Sequence, residues 1–406
     1  MLAPRAPICR RQIDSAATNR RLLLHSRQSP RTRSRRPIRK RRPFRRRVNA
    51  PRWPRLAMKL RSRTDVGGAV ALAMAPILPF AAFATMAPLA AYTTALALFG
   101  LPHVLSELRY VDRRFGRRLS LSYLAPIAAL LAVIVAARAC VVFGAAPAEV
   151  GAPVELGAGA ILALVCARGD WTRRAYASRA WTRKAVALSV AGAIGGATMI
   201  APFTTSVVVA ILHNFTPLGF LWQIAPRAAR PRVLAAAGFG LLLMPLLAAT
   251  GGAHLALNAL GSSPSVLDPL GAGPLAEHLG VYVPRPFLDG PRAVDFFTAS
   301  VIAQGAHYLA VIVILPLLLG RLDPGAAGLV AWPRGGLFAL LCAAVAALAL
   351  SPFFADFARA RAYYGLFAAV HAWIEVPVLI LALTGGARGK SWRSGEGAAA
   401  SAVQVG

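Results

Sequence analysis

From Val66 onward the sequence is a succession of apolar stretches, most of them near the roughly 20 residues that an α-helix needs to cross a bilayer. We count ten: 66–86, 88–108, 120–143, 154–168, 185–202, 203–224, 233–250, 293–319, 335–353 and 362–384. Inside hydrocarbon every backbone N–H and C=O must be paired within the protein, so only helices and closed barrels cross it. Runs of this length are helical spans, since barrel strands need only about ten residues. The expected fold class is therefore all-α, a polytopic membrane helix bundle of about ten transmembrane helices. The fourth stretch is short, and Pro88 and Pro202 are all that divides the first from the second and the fifth from the sixth.

Only 15% of the 406 residues are charged, yet the formal net charge is +31. Through Ala57 the chain has 18 Arg and Lys40 against Asp14 alone, so +18 of the total sits in the first seventh. This Arg-, Pro- and Ser-rich segment has no apolar period and is expected to be disordered. Three readings stay open for it: an arm for nucleic acid or anionic lipid, a targeting segment, or non-native translation upstream of a start at Met58. Met58-Lys59-Leu60-Arg61-Ser62-Arg63 is a short positive lead into an apolar stretch and favours the last. The expected organisation is an Arg-rich segment over 1–57, a membrane domain over 58–386 and a cytoplasmic tail over 387–406.

The remaining +13 orients the bundle. Lys and Arg are retained in cytoplasmic loops. With the N-terminus inside, the inner loops hold Arg109 to Arg118, Arg168 to Lys184, Arg227 to Arg232, and Arg321 with Arg334, while the outer loops hold only Arg285, Arg292, Arg359 and Arg361. Both termini are expected on the cytoplasmic side of a bacterial inner membrane. Neither part of the charge calls for nucleic acid; the expected partners are the lipid bilayer and a lipophilic small molecule. Cys9, Cys140, Cys166 and Cys342 are scattered, with no CxxC or CxxCH. The 251–292 connection, rich in Gly, Pro and Ser and containing His254 and His278, reads as a surface loop or lid.

Function is expected where ionisable groups lie within spans, because each costs about 2.5–3.5 kcal/mol at mid-bilayer unless it faces a partner or a cavity. His103 and Glu107 end the second span, His213-Asn214 centres the sixth, Gln304 to Tyr308 with His307 centres the eighth, and His371 with Glu375 centres the tenth. All four spans are even-numbered and run the same way. His103/Glu107 and His371/Glu375 are each four residues apart, on one helix face. At that spacing the two side chains either share a metal ion, or the carboxylate orients a metal-bound imidazole. His103, His213, His307 and His371 are the candidate metal ligands and Glu107 and Glu375 the candidate catalytic carboxylates, a set suited to iron or another first-row transition metal. The alternatives are interhelical hydrogen bonding by His213 or His307 and pairing of Glu107 with the Arg109 to Arg118 cluster. Trp373 reads as packing, and Tyr363 and Tyr364 as interfacial anchors.

Gly100-Leu101-Pro102-His103-Val104-Leu105-Ser106-Glu107 resembles the GxPHGxxD signature of the Brp/Blh family, integral-membrane enzymes that cleave β-carotene centrally into retinal. The resemblance covers about eight residues. Val104 stands where the signature has Gly, Glu107 where it has Asp, and a closely spaced late His pair is missing. The resemblance implies a non-haem iron that activates O₂, with His103 a ligand and Glu107 the counterpart of the family's Asp.

Three functions are weighed: a membrane Fe(II)-dependent oxygenase acting on a carotenoid or another isoprenoid, a proton-coupled transporter with His and Glu at its binding site, and a haem-binding membrane subunit. The last is disfavoured by one histidine per helix, since bis-His haems in bundles commonly draw two from each of two helices.

Overall fold

The computed structural model describes residues 66–168, 180–322 and 327–384. The Arg-rich segment 1–57, the C-terminal tail and residues 169–179 of the basic connection lie outside them. Among the described residues the chain is helical, with no strand. Ten long helices follow one another: α1 (Val66–Met86), α2 (Pro88–Phe115), α3 (Leu121–Val142), α4 (Ala148–Val165), α5 (Ala180–Ile200), α6 (Pro202–Ile224), α7 (Arg230–Ala249), α8 (Ala293–Leu322), α9 (Gly335–Ala355) and α10 (Phe357–Thr384). All but α5 are long and apolar enough to cross a membrane. The expectation of ten spans is thus met by ten helices of which nine qualify among the described residues. α5 begins on Trp181, Arg183 and Lys184 and carries Gly192, Gly195, Gly196 and Thr198, which dilute its apolar content.

The proline joints behave as the sequence suggests. Ala87 and Ala201 leave helical geometry (φ −143° and −152°), and Pro88 and Pro202 restart the chain at the first turn, where no N–H is needed. Other boundaries move outward. α2 runs on to Phe115, so His103 lies mid-helix rather than toward one end, and α4 starts at Ala148, which lengthens the short fourth stretch.

Burial grades the helices by function. The central segments of α2 and α8 are 72% and 67% enclosed, against 11% for α9 and 17% for α3, whose surfaces are left for lipid. α10 packs against α2, α3, α4, α6 and α9 and supplies side chains to two separate apolar cores. One core joins α1, α2 and α6–α10; the other joins α3–α5 with α10. Between α8 and α9, the chain is fastened to α2: Asp112 accepts hydrogen bonds from the Leu329 and Val330 amides and the Trp332 indole (2.8–3.0 Å).

The 251–292 connection is more ordered than a surface loop. It contains the helix Gly252–Ala259, and the Ser265 amide donates to Met86. His278 is buried between Tyr92 and Phe357. Its Nδ1 accepts from Arg361 (3.0 Å), so Nε2 carries the proton and donates to the Ala272 carbonyl (3.0 Å). His254 pairs with Asp295 at 2.5 Å.

Candidate metal centre

Four helices deliver the site, and prolines mark three of the four positions. Pro102 precedes His103 in α2, and Pro377 follows Glu375 in α10. In α6, Pro217 cannot donate to the carbonyl four residues back, which is that of His213, so the helix breaks over Asn214-Phe215. Thr216 Oγ1 lies 2.7 Å from the freed His213 carbonyl and 2.8 Å from Glu375 Oε1. Three residues beyond His307, α8 passes through a π-helical turn, Ala310–Ile314, an irregularity often found at functional sites.

The four predicted histidines converge: one nitrogen from each lies within 4.8 Å of those of the other three. His103, His307 and His371 are fully buried and His213 nearly so. His371 Nε2 lies 2.9 Å from His103 Nε2 and 3.2 Å from His213 Nε2. The far nitrogens fix what these atoms present. His103 Nδ1 faces the Phe99 carbonyl at 3.2 Å and must carry a proton to donate to it. His213 Nδ1 faces Glu375 Oε2 at 2.6 Å and donates likewise. Both neutral rings therefore turn Nε2 lone pairs toward His371, whose own Nε2 has at most one proton to offer. One hydrogen bond cannot satisfy both.

A single cation can. Two nitrogens each about 2.0–2.1 Å from one ion, at about 90–105° to each other, are separated by about 2.9–3.3 Å. The separations of His371 Nε2 from His103 Nε2 and His213 Nε2 fall in that range. Carboxylate support of His213 by Glu375 is the usual device for fixing a ligand's tautomer.

His307 stands one step back, its ring centroid 4.6 Å from that of His213 and 5.4 Å from that of His103. Its Nε2 is 3.6 Å from Glu107 Oε2. Both ring nitrogens of His307 and both oxygens of Glu107 are buried without a hydrogen-bond partner, as is His371 Nδ1. Each such group costs about 1–3 kcal/mol, so several in one place signal an ion, a water or a substrate group that belongs there. Glu107 is fully buried beside His307, and among the described side chains no ion pair joins it to Arg109, Arg113, Arg114 or Arg117.

The i, i+4 carboxylates thus serve across helices. Glu375 holds His213 rather than His371, and Glu107 faces His307 rather than His103. Of the two tyrosines expected to anchor at the interface, Tyr363 is exposed, whereas the Tyr364 ring lies 6.4 Å from that of His103, centroid to centroid. Trp373 does pack, flat against Gly159, but its indole also donates to Glu155, which is paired with Arg138. Sequence reading missed Tyr308, whose ring lies 4.3 Å from that of His103 and whose hydroxyl accepts from Gln304 at 2.6 Å. A tyrosine next to a ligand histidine was the available signal.

Above the centre lies an apolar chamber of about 390 Å³ between α6, α7 and α8, roofed by Tyr282, Pro284 and Phe287 of the 251–292 connection. Ile211 and Phe215 lie two residues to either side of His213 in the sequence, and Ala303 lies one helical turn before His307; the histidines themselves do not line the chamber. Comparison of the chain with protein-family models, curated proteins and solved structures finds no match.

Proposed function

We propose that this multi-pass membrane protein is a metal-dependent, oxygenase-like enzyme that acts on a lipophilic substrate such as a carotenoid or another isoprenoid. The observation that carries the reading is the convergence of the His103, His213 and His371 Nε2 atoms, two of them lone pairs, at separations suited to one ion. A non-haem iron is the ion we favour, held by His103, His213 and His371 with His307 as the fourth nitrogen. When bound, iron would supply redox chemistry toward O₂. Glu375 orients His213, and Glu107, beside His307, is placed to hold or pass a proton. The apolar chamber next to the ligands and the buried walls exclude water and suit a hydrocarbon substrate. The likeness of Gly100 to Glu107 to the Brp/Blh signature supports the same chemistry. We place the protein in the bacterial cytoplasmic membrane with both termini inside, on the distribution of Lys and Arg.

Measurement of bound metals and the absorbance spectrum of the purified protein tests this. One transition metal per chain, without a haem band, is expected, and it should be lost in His103→Ala and His371→Ala. A metal-free wild type, or metal content unchanged in both variants, rejects the proposal. A proton-coupled carrier is the second reading, favoured by the fully buried carboxylate of Glu107, which lies 3.6 Å from His307 without a hydrogen bond. It predicts uptake into liposomes driven by a pH gradient, abolished in Glu107→Gln.

A further inference from the structure

We propose that the chamber between α6, α7 and α8 takes an apolar chain end first from the bilayer and presents its terminus, rather than its middle, to the histidine centre. This deepens the enzymatic reading above and rests on it for the chemistry, though not for the binding.

The chamber opens toward lipid. Leu242 and Leu246 of α7 and Phe287 of the connection line it and are at least half exposed on the bundle surface. Its walls offer little to a polar ligand. The two hydroxyl-bearing lining residues are Tyr282 and Ser300, and Ser300 donates to the Phe296 carbonyl (3.0 Å). A hydrocarbon is the class that gains from this surface.

Size and floor decide the orientation. At roughly 30 Å³ for each non-hydrogen group in a liquid, the volume holds about 13 such groups. That matches a C10 to C15 chain, or one end of a longer molecule whose remainder stays among the lipids. Ala303, the lining residue of α8 nearest His307 in the sequence, is itself buried, and so are Ala306 and His307 beyond it. A forty-carbon polyene cannot thread past the ligands without moving that layer. Atoms at or near the inserted end are therefore those held beside the centre, and Ala303 sets how deep they go.

Photolabelling in nanodiscs tests this with two C16 alcohols, one carrying a diazirine at the ω-carbon and the other at C2. The ω-probe is expected to label the floor around Ile211, Phe215 and Ala303, and the C2-probe the rim around Phe287. Ala303→Trp should cut ω-labelling of the floor at least tenfold, and so should Leu242→Trp, at a lipid-exposed position where a larger ring is tolerated. Metal content should stay unchanged in Leu242→Trp. Equal floor labelling by both probes, no floor labelling in wild type, or undiminished labelling in Leu242→Trp overturns the proposal. Loss of metal from the wild type with labelling intact would reject the enzymatic reading alone.

Discussion

Glu375 of α10 holds His213 of α6 across the bundle, its Oε2 2.6 Å from His213 Nδ1, while His371, one turn away on the same helix, turns Nε2 to His213 and His103. One helix thus contributes both a ligand and the group that aims another helix's ligand. Glu375→Gln keeps the volume and removes the negative charge behind His213. Metal affinity is expected to fall about 10–100-fold, with a smaller loss in Thr216→Ala, which removes the hydroxyl beside Glu375 Oε1. Competition with a chelator measures both, and unchanged affinity in Glu375→Gln would rule out the orienting role.

Metal should also stabilise the fold. Lone pairs that converge without a cation are costly, and an ion that binds only the folded chain adds about 2.7 kcal/mol at a hundredfold excess over Kd. Fe(II) added anaerobically is expected to raise the thermal midpoint of metal-stripped wild type and leave a His103→Ala/His371→Ala variant unmoved. Equal shifts in the two would place the stabilising ion elsewhere.

Trp373 ties the ligand-bearing stretch of α10 to α4. A Cβ on Gly159 would lie 2.0 Å from the indole ring, so Gly159→Leu must push Trp373 away. Overpacking of this kind costs about 1–3 kcal/mol, and displacement of Trp373 moves His371 and Glu375 with it. Lower thermal stability and reduced metal occupancy are both expected, with Trp373→Phe milder because it loses the hydrogen bond to Glu155 and some ring packing but crowds nothing. Full occupancy in Gly159→Leu would show that α10 keeps its place without this contact.

Asp268 makes the connection sensitive to acid. Burial pushes its carboxyl up, but the Ala272, Gly273 and Leu270 amides together with the nearby His278 outweigh that and hold it below the usual carboxylate range. A lowered folded pKa contributes stability above the unfolded value, about 3.9, that is lost as pH falls through the folded value. Hydrogen exchange at the Ala272 and Gly273 amides should accordingly quicken, beyond its intrinsic pH dependence, as pH drops below about 4. In Asp268→Asn this added dependence should vanish; its persistence would assign it to another group.

The sequence made the helices and the six site residues legible for one reason: an ionisable group inside an apolar run is costly enough to be placed on purpose. Spacing did less well. His103 with Glu107 and His371 with Glu375 share helix faces, yet each carboxylate found its histidine on another helix, because tertiary packing decides which faces meet. The break in α6 could have been read from Pro217 four residues after His213. The Arg138–Glu155–Trp373 network and the Tyr308 ring on His103 could not be paired from sequence, since each depends on which of ten helices are neighbours. α5 shows the limit of composition: its length fits a span, but its basic start and glycines lower its apolar content.

The position of α10 also bears on biosynthesis. The ribosome delivers α2, α6 and α8, with three of the four histidines, before α10 emerges, yet His371 is the nitrogen that lies close to both His103 and His213. On the proposed reading, capture of an ion at the full site would await this helix, and the newly made bundle would pass through a stage with three of the four histidines inserted. Quality control acting on that stage would distinguish a completed chain from one arrested after α9 by metal retention alone.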